Sequence, residues 1–105
     1  MKRAVQIKVC GITSAAFARR AEAMGADYLG FIFAARSPRR ITPDAAAAIV
    51  ATLAGGARRV GVFTDSLVEE ILSVARRVPL DVVQLHSTDY GADDIAALKS
   101  AGLEV

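Results

Sequence analysis

Two residues whose side chains can move protons close short apolar stretches of this chain. Cys10 ends the stretch 4–10 and is followed at once by Gly11, and His86 ends the stretch 80–86. A thiol beside the N-terminus of a helix lies where local dipoles favour the thiolate, which can act as a nucleophile or a base. An imidazole can bind an anion or donate a proton. A buried structural cysteine and a packed histidine are the alternatives to these roles.

Three arginines, Arg36, Arg39 and Arg40, lie in the longest predicted connection, residues 34–42. A guanidinium group matches a carboxylate or a phosphate in bidentate fashion, so this loop could hold either anion. The same residues are also typical of a solvated surface. Three arginines without interleaved aromatic residues are too few to indicate nucleic-acid binding.

The remaining polar residues carry weaker signals. Asp65 and Asp89 are predicted to serve turns or helix caps. Metal-ligand spacing, a P-loop and a GxGxxG turn do not occur in the sequence, so we predict no metal site and no nucleotide cofactor.

Length and composition limit the class of protein. The 105 residues make at most one domain, and 53% of them are hydrophobic. No apolar run approaches the roughly 20 residues of a membrane span, and Lys2, Arg3, Gln6 and Lys8 interrupt any signal-peptide core. A single cysteine forms no internal disulfide, and a net charge of +2 indicates no polyanionic partner. These features predict a cytoplasmic protein without membrane association.

Apolar periodicity alternates between strand and helix four times. Strands are predicted at 4–10, 27–33, 58–63 and 80–86, and helices at 14–24, 43–53, 66–78 and 92–101. The tripeptide 103–105 is typical of a fifth strand beginning. Strands joined by helices of this length predict a parallel sheet with right-handed crossovers, either four units of a (βα)8 barrel or a small doubly wound sheet. Both architectures bind ligands at the carboxyl ends of their strands.

Helix boundaries and strand faces follow from local chemistry. Thr42 followed by proline predicts a capped helix start, and the Ser66-Leu67-Val68-Glu69 spacing predicts a capping box. In the first helix Phe17, Ala21 and Met24 recur with helical period. Alternation along the strands places Lys8 with Cys10, and Gln84 with His86, on polar inward faces.

Five motifs together resemble one enzyme family. KVCGIT at 8–13, GADYLGFIF at 25–33, SPRRITP at 37–43, RVGVF at 59–63 and DVVQLH at 81–86 are similar, in this order, to the N-terminal half of phosphoribosylanthranilate isomerase, an enzyme of tryptophan biosynthesis. That family is a (βα)8 barrel. The resemblance therefore implies a (βα)4 half-barrel.

The resemblance also implies a reaction and its residues. The family converts N-(5-phosphoribosyl)anthranilate into its aminoketose by an Amadori rearrangement without a cofactor. Cys10 matches the family's general base and Arg39 matches the arginine that contacts the anthranilate part. Gln84, His86 and Lys8 are expected to line the substrate pocket.

The chain differs from the family pattern at three positions, and two parts of the family's site belong to the second half of the barrel. Ala35, Arg40 and Ser87 replace residues common in the family's pocket rim, and the family's acid and phosphate loops belong to its second half. The expected partners are thus a small phosphorylated substrate and either a second copy or a complementary C-terminal half-barrel, which would cover open sheet edges. The alternatives are a non-catalytic, self-associating module that binds a small anion through Arg39, and an unrelated doubly wound binding domain.

Overall fold

Four strands and four helices alternate in the computed structural model, which describes residues 5–105. The strands are β1 (Lys8–Cys10), β2 (Tyr28–Ile32), β3 (Arg58–Phe63) and β4 (Val82–Leu85). The helices are α1 (Ala15–Ala23), α2 (Pro43–Val50), α3 (Val68–Arg77) and α4 (Ala92–Ser100). The predicted alternation is confirmed with somewhat shorter elements, and residue 4 of the first predicted strand lies outside the described residues.

The strands form one parallel sheet in the order β1-β2-β3-β4. A doubly wound sheet reverses its strand order at a switch point, whereas here every crossover advances in the same direction. Right-handed crossovers that advance in one direction place all four helices on the same face of the sheet. The fold is therefore the predicted (βα)4 half-barrel.

The two faces of the sheet carry different clusters. The larger cluster packs between sheet and helices and includes Phe31, Phe63 and Val83. A smaller cluster on the helix-free inner face consists of Ile32, Ala34, Val60 and Val62, with Cys10, Tyr28 and Val82 packed against it. The inward orientation predicted for Cys10 is confirmed.

Two helices begin at a side-chain cap, and the cap predicted at Thr42 is confirmed. The Ser14 hydroxyl accepts a hydrogen bond from the Phe17 amide at 3.1 Å. The Thr42 hydroxyl accepts one from the Ala45 amide at 3.2 Å, with Pro43 at the first helical position. Each bond satisfies an amide that has no partner within its helix.

The capping box predicted for α3 is wrong by one residue. Leu67 occupies the N-cap position, and the Glu70 carboxylate, rather than that of Glu69, accepts the Leu67 amide at 2.8 Å. Ser66 lies in the preceding loop, where its carbonyl accepts the Tyr90 hydroxyl at 2.7 Å. This contact joins the β3–α3 loop to the β4–α4 loop.

The apolar period of α1 does not correspond to its buried face. Ala18 and Ala21 are buried, whereas Phe17 is 50% and Met24 is 80% exposed. The physical reason is that β1 is an edge strand and α1 packs against α2 on one flank only. Phe17 and Met24 lie toward the other flank, beside Ile7 and Val9 of the edge strand.

The last residues begin a fifth strand, as predicted. Glu104 forms a parallel bridge with Val82, and its carbonyl accepts the Val83 amide at 2.7 Å. The side chain of Glu104 also pairs with Arg58. Over the described part of the chain the longest helix has 10 residues, and none is long and apolar enough to cross a membrane.

Candidate functional site

A cavity of about 710 Å³ opens on the inner face at the carboxyl ends of the strands. All five residues predicted to form a site line it: Lys8, Cys10, Arg39, Gln84 and His86. They come from β1, the β2–α2 loop and the end of β4, so they are separated by up to 78 positions in the chain. Parallel strands in consecutive order gather these residues because their carboxyl ends share one edge.

Cys10 is a half-buried free thiol at the end of β1. It lies directly opposite Gly30 in the register of the sheet. Gly11, which follows it, has φ +81°, and the amides of Gly11 and Ile12 both donate to the Gly30 carbonyl at 3.1 Å. These bonds fix the turn from which α1 starts and keep the thiol on the cavity side.

Arg39 extends from the β2–α2 loop over the Gly11 turn. Its amide donates to the Ser37 hydroxyl at 3.2 Å, which shapes the loop. Its Nη1 lies 3.5 Å from the Cys10 carbonyl oxygen, at the limit of a hydrogen bond. The guanidinium group is therefore held beside the thiol-bearing residue with donors left for a ligand.

The other two arginines of the loop lie in different surroundings. Arg36 also lines the cavity. Arg40 instead forms an isolated parallel bridge with Ile32 and is not among the residues lining the cavity. Arg40 is thus a chemically matched neighbour of Arg39 outside the site.

His86 and Gln84 project from the end of β4. The His86 amide donates to the Phe63 carbonyl at 2.8 Å, which continues the β3–β4 pairing up to the imidazole. Gln84 accepts a hydrogen bond from the Lys8 ammonium across the inner face. Lys8 and Gln84 line both this cavity and a second one of about 600 Å³, which extends around the β4 edge, so their pair lies between the two.

Asp65 is a site-lining residue that sequence reasoning assigned to a turn or cap. It lines the cavity, while Leu67 rather than Asp65 occupies the N-cap of α3. Its position two residues after the end of β3, at the carboxyl edge of the sheet, was the available signal. Asp89 is not a cap either, because Gly91 is the N-cap of α4, and the Asp89 amide donates to the Ser87 hydroxyl in a loop turn.

The charges around the cavity favour an anionic ligand. Lys8, Arg36 and Arg39 supply three cationic groups against the single carboxylate of Asp65. Carboxylate and phosphate groups suit such a lining. Within residues 5–105 no cluster of three or more His, Cys, Asp or Glu side chains is arranged to hold a metal ion.

The fold and cavity define the class: half of a (βα)8 barrel with a polar ligand site at the carboxyl ends of its strands. A family model described as N-(5'phosphoribosyl)anthranilate (PRA) isomerase matches residues 7–105. The chain belongs to this family, which confirms the resemblance carried by the five motifs.

Curated relatives and solved structures are similar over nearly the whole chain. The N-(5'-phosphoribosyl)anthranilate isomerase of Rubrobacter xylanophilus is 46% identical over 100 residues, which are 95% of this chain and 48% of the relative. The phosphoribosyl anthranilate isomerase of Thermus thermophilus matches with a TM-score of 0.81 and 42% identity, over 89% of this chain and 48% of that one. The chain thus spans about half the length of the relatives it matches.

Two further solved structures carry information on ligand and assembly for the proteins they describe. One is a phosphoribosyl anthranilate isomerase in complex with reduced 1-(o-carboxyphenylamino)-1-deoxyribulose 5-phosphate, with a TM-score of 0.87, 38% identity and coverage of 91% of this chain and 49% of that one. The other describes monomers generated from the dimeric enzyme of Thermotoga maritima, with a TM-score of 0.85, 38% identity and the same coverage.

Proposed function

We propose that this chain forms the N-terminal half of a phosphoribosylanthranilate isomerase and carries the general base of the reaction. The observation that supports this most strongly is the convergence of Cys10, Arg39 and His86 on one cavity in a chain of this family. The substrate is a small phosphorylated aminoaldose in the cytoplasm. The reaction belongs to tryptophan biosynthesis.

The rearrangement requires one acid and one base. Protonation of the furanose oxygen opens the ring to an imine, and the Cys10 thiolate then removes the proton from C2. Transfer of a proton to C1 of the resulting enolamine, together with loss of the C2 hydroxyl proton to the conjugate base of the acid, completes the aminoketose, so substrate and product are isomers and no cofactor is consumed. General acid and base catalysis of this kind contributes roughly 10²- to 10⁴-fold each.

Arg39 binds the anthranilate carboxylate in this proposal. Its guanidinium group can meet a carboxylate with two parallel hydrogen bonds, and it already lies beside the Cys10 carbonyl. His86 and Gln84 orient the sugar, and Lys8 keeps Gln84 in place through their hydrogen bond. The carboxyphenyl group of the ligand named for the related crystal structure agrees with the cationic lining beside Arg39.

The isolated half-barrel is inactive in this proposal. The inner face and the β4 edge carry two cavities, of about 710 and 600 Å³, whereas the interior of a complete barrel is filled by side chains from alternate strands. The general acid and the phosphate site would come from four further βα units. The 105 residues are then one incomplete structural unit.

The contacts at the β4 edge favour a complementary half-barrel, rather than a second copy of this chain, as the partner. Two copies could close a barrel only if β1 of one copy paired with β4 of the other. Glu104 already pairs with that edge, since its carbonyl accepts the Val83 amide and its amide donates to the Asp81 carbonyl at 3.2 Å. A strand in this register occupies the position of the first strand of a second half-barrel.

Turnover of phosphoribosylanthranilate tests the proposal. The chain is assayed alone and after mixing with the C-terminal half of the Rubrobacter xylanophilus relative, with Cys10→Ser as the site variant and Ser73→Ala on the exposed side of α3 as its control. We expect turnover only in the mixture, reduced at least about 100-fold by Cys10→Ser and unchanged by Ser73→Ala. Activity that survives Cys10→Ser would remove the thiol from catalysis, and association without turnover would support the non-catalytic anion-binding module instead.

A further inference from the structure

Gly30 is the residue of β2 that lies directly beside the Cys10 thiol. The two residues are partners in the β1–β2 register, so their side-chain positions lie on the same inward face. Gly30 is itself buried. The glycine therefore leaves an unoccupied side-chain position next to Sγ.

The lack of room for a side chain, rather than an unusual backbone conformation, accounts for the glycine at position 30. A β-carbon built on Gly30 would lie 2.9 Å from Cys10 Sγ, 3.3 Å from its Cα and 3.4 Å from its Cβ. The first distance is too short for a carbon–sulfur contact and the other two are tight. Gly30 does not have the positive φ that distinguishes Gly11, so an alanine there meets no backbone strain of that kind.

We propose that Gly30 is a positioning residue for the Cys10 thiol. Its missing side chain lets Sγ rest against β2 on the cavity side, and any larger residue turns the thiol away because Sγ is the free end of the cysteine side chain. This inference rests on the proposed catalytic role of Cys10 but concerns the placement of its sulfur.

The same arrangement occurs at the second functional group. A β-carbon on Gly11 would lie 2.5 Å from Nη1, 2.8 Å from Cζ and 2.9 Å from Cδ of Arg39. Two glycines thus provide the space for the base and for the cationic anchor. Gly11 also has φ +81°, so its substitution would combine displacement of Arg39 with backbone strain, and Gly30 gives the cleaner test.

Alkylation of the thiol by iodoacetamide measures its placement directly. Cys10 is the only cysteine, so all modification of thiols in the chain reports on it. The control is Gly61→Ala, because a β-carbon there would lie 2.5 Å from Leu80 Cδ1 and 2.9 Å from Phe63 Cε2, within the core between sheet and helices. It introduces a comparable steric conflict away from the thiol.

We expect Gly30→Ala to change the alkylation rate constant by at least about threefold, because the reactivity of a thiol depends on its surroundings. Gly61→Ala should change the rate less than that. A rate for Gly30→Ala within threefold of the unmodified chain, or an equal change in Gly61→Ala, overturns the proposal.

A double-mutant cycle keeps the test decisive if Gly30→Ala folds poorly. In the Cys10→Ala background the sulfur is gone, so Gly30→Ala should lower the melting temperature less than it does beside the native thiol. An equal loss in both backgrounds overturns the proposal. Neither measurement uses isomerase turnover, so failure of the proposed function and failure of this inference are distinguishable.

Discussion

The ammonium group of Lys8 on β1 donates a hydrogen bond to the side-chain oxygen of Gln84 on β4. Adjacent strands lie about 4.8 Å apart, so a flat sheet would separate β1 from β4 by about 14 Å, more than these two side chains span together. The bond therefore requires the sheet to curve inward. It links the outer strands of the half-barrel beneath the candidate site.

Lys8→Met removes this bond and one cationic group from the cavity. Because Lys8 is exposed, we expect the free energy of unfolding to fall by less than about 1 kcal/mol. The larger effect should be on substrate binding, with KM in the reassembled enzyme raised several-fold. Steady-state kinetics and denaturant titration measure the two effects. Lys99→Met, at the end of α4, is the matched control, and an equal rise in KM there would contradict the proposed role of Lys8.

Arg39→Lys keeps the charge but loses the two-pronged guanidinium. A charge-assisted pair contributes about 1.5–3 kcal/mol, so KM should rise roughly 10- to 100-fold while kcat changes less. Arg40→Lys tests the same exchange one position away and outside the cavity. If both variants bind substrate alike, Arg39 is part of the solvated loop surface and not the carboxylate anchor.

Glu22 of α1 binds the turn that precedes β3. Its carboxylate accepts the amides of Ala54 at 2.8 Å and Ala57 at 3.1 Å. Burial by itself raises the pKa of Glu22, but hydrogen bonds from the backbone of residues 54–57 outweigh it and lower the pKa. A folded-state pKa below the unfolded value stabilises the protein above about pH 4.5, and this contribution is lost as the pH falls further.

Glu22→Gln should therefore cost about 1–2 kcal/mol at pH 7 and progressively less below pH 4.5. Thermal unfolding at a series of pH values measures the difference. Glu69→Gln, on the exposed first turn of α3, serves as the comparison. A cost for Glu22→Gln that stays constant down to pH 3 would mean that its carboxylate is not favoured by these amides.

We expect the exposed apolar groove beside β1 to form part of the contact surface for the complementary C-terminal half-barrel. Phe17 and Met24, with Ile7 and Val9, line a cavity of about 320 Å³ at the flank of α1 that has no neighbouring helix. In a closed barrel, the last βα unit of the second half packs at this position. Burying one large apolar side chain contributes roughly 1.5–3 kcal/mol.

Phe17→Asp should accordingly weaken association with the C-terminal half at least about tenfold. Leu67→Asp provides the control, since Leu67 is 68% exposed but lies at the start of α3. Light scattering of the separated and mixed halves follows the complex. Unchanged assembly of Phe17→Asp, or conversion of a self-associated chain into monomers by this variant, would contradict the proposed occupant.

Local signals in the sequence were sufficient for the elements and for the direction of several side chains. The cap predicted at Thr42 depends on a neighbour three residues away, and strand alternation alone places Cys10 and Gln84 inward. The five family motifs identified the half-barrel because they follow one another in the family's order from residue 8 to residue 86. Such features require no knowledge of distant contacts.

Tertiary structure decided the features that depend on which elements become neighbours. The Lys8–Gln84 bond joins residues 76 positions apart, and the close approach of Cys10 to Gly30 exists only because β1 pairs with β2 in one register. Asp65 reaches the cavity through the shared edge of β3 and β4, and Phe17 stays exposed because, within residues 5–105, β1 has no strand beyond it. Periodicity describes the faces of a single element, whereas these properties follow from the order and curvature of the sheet.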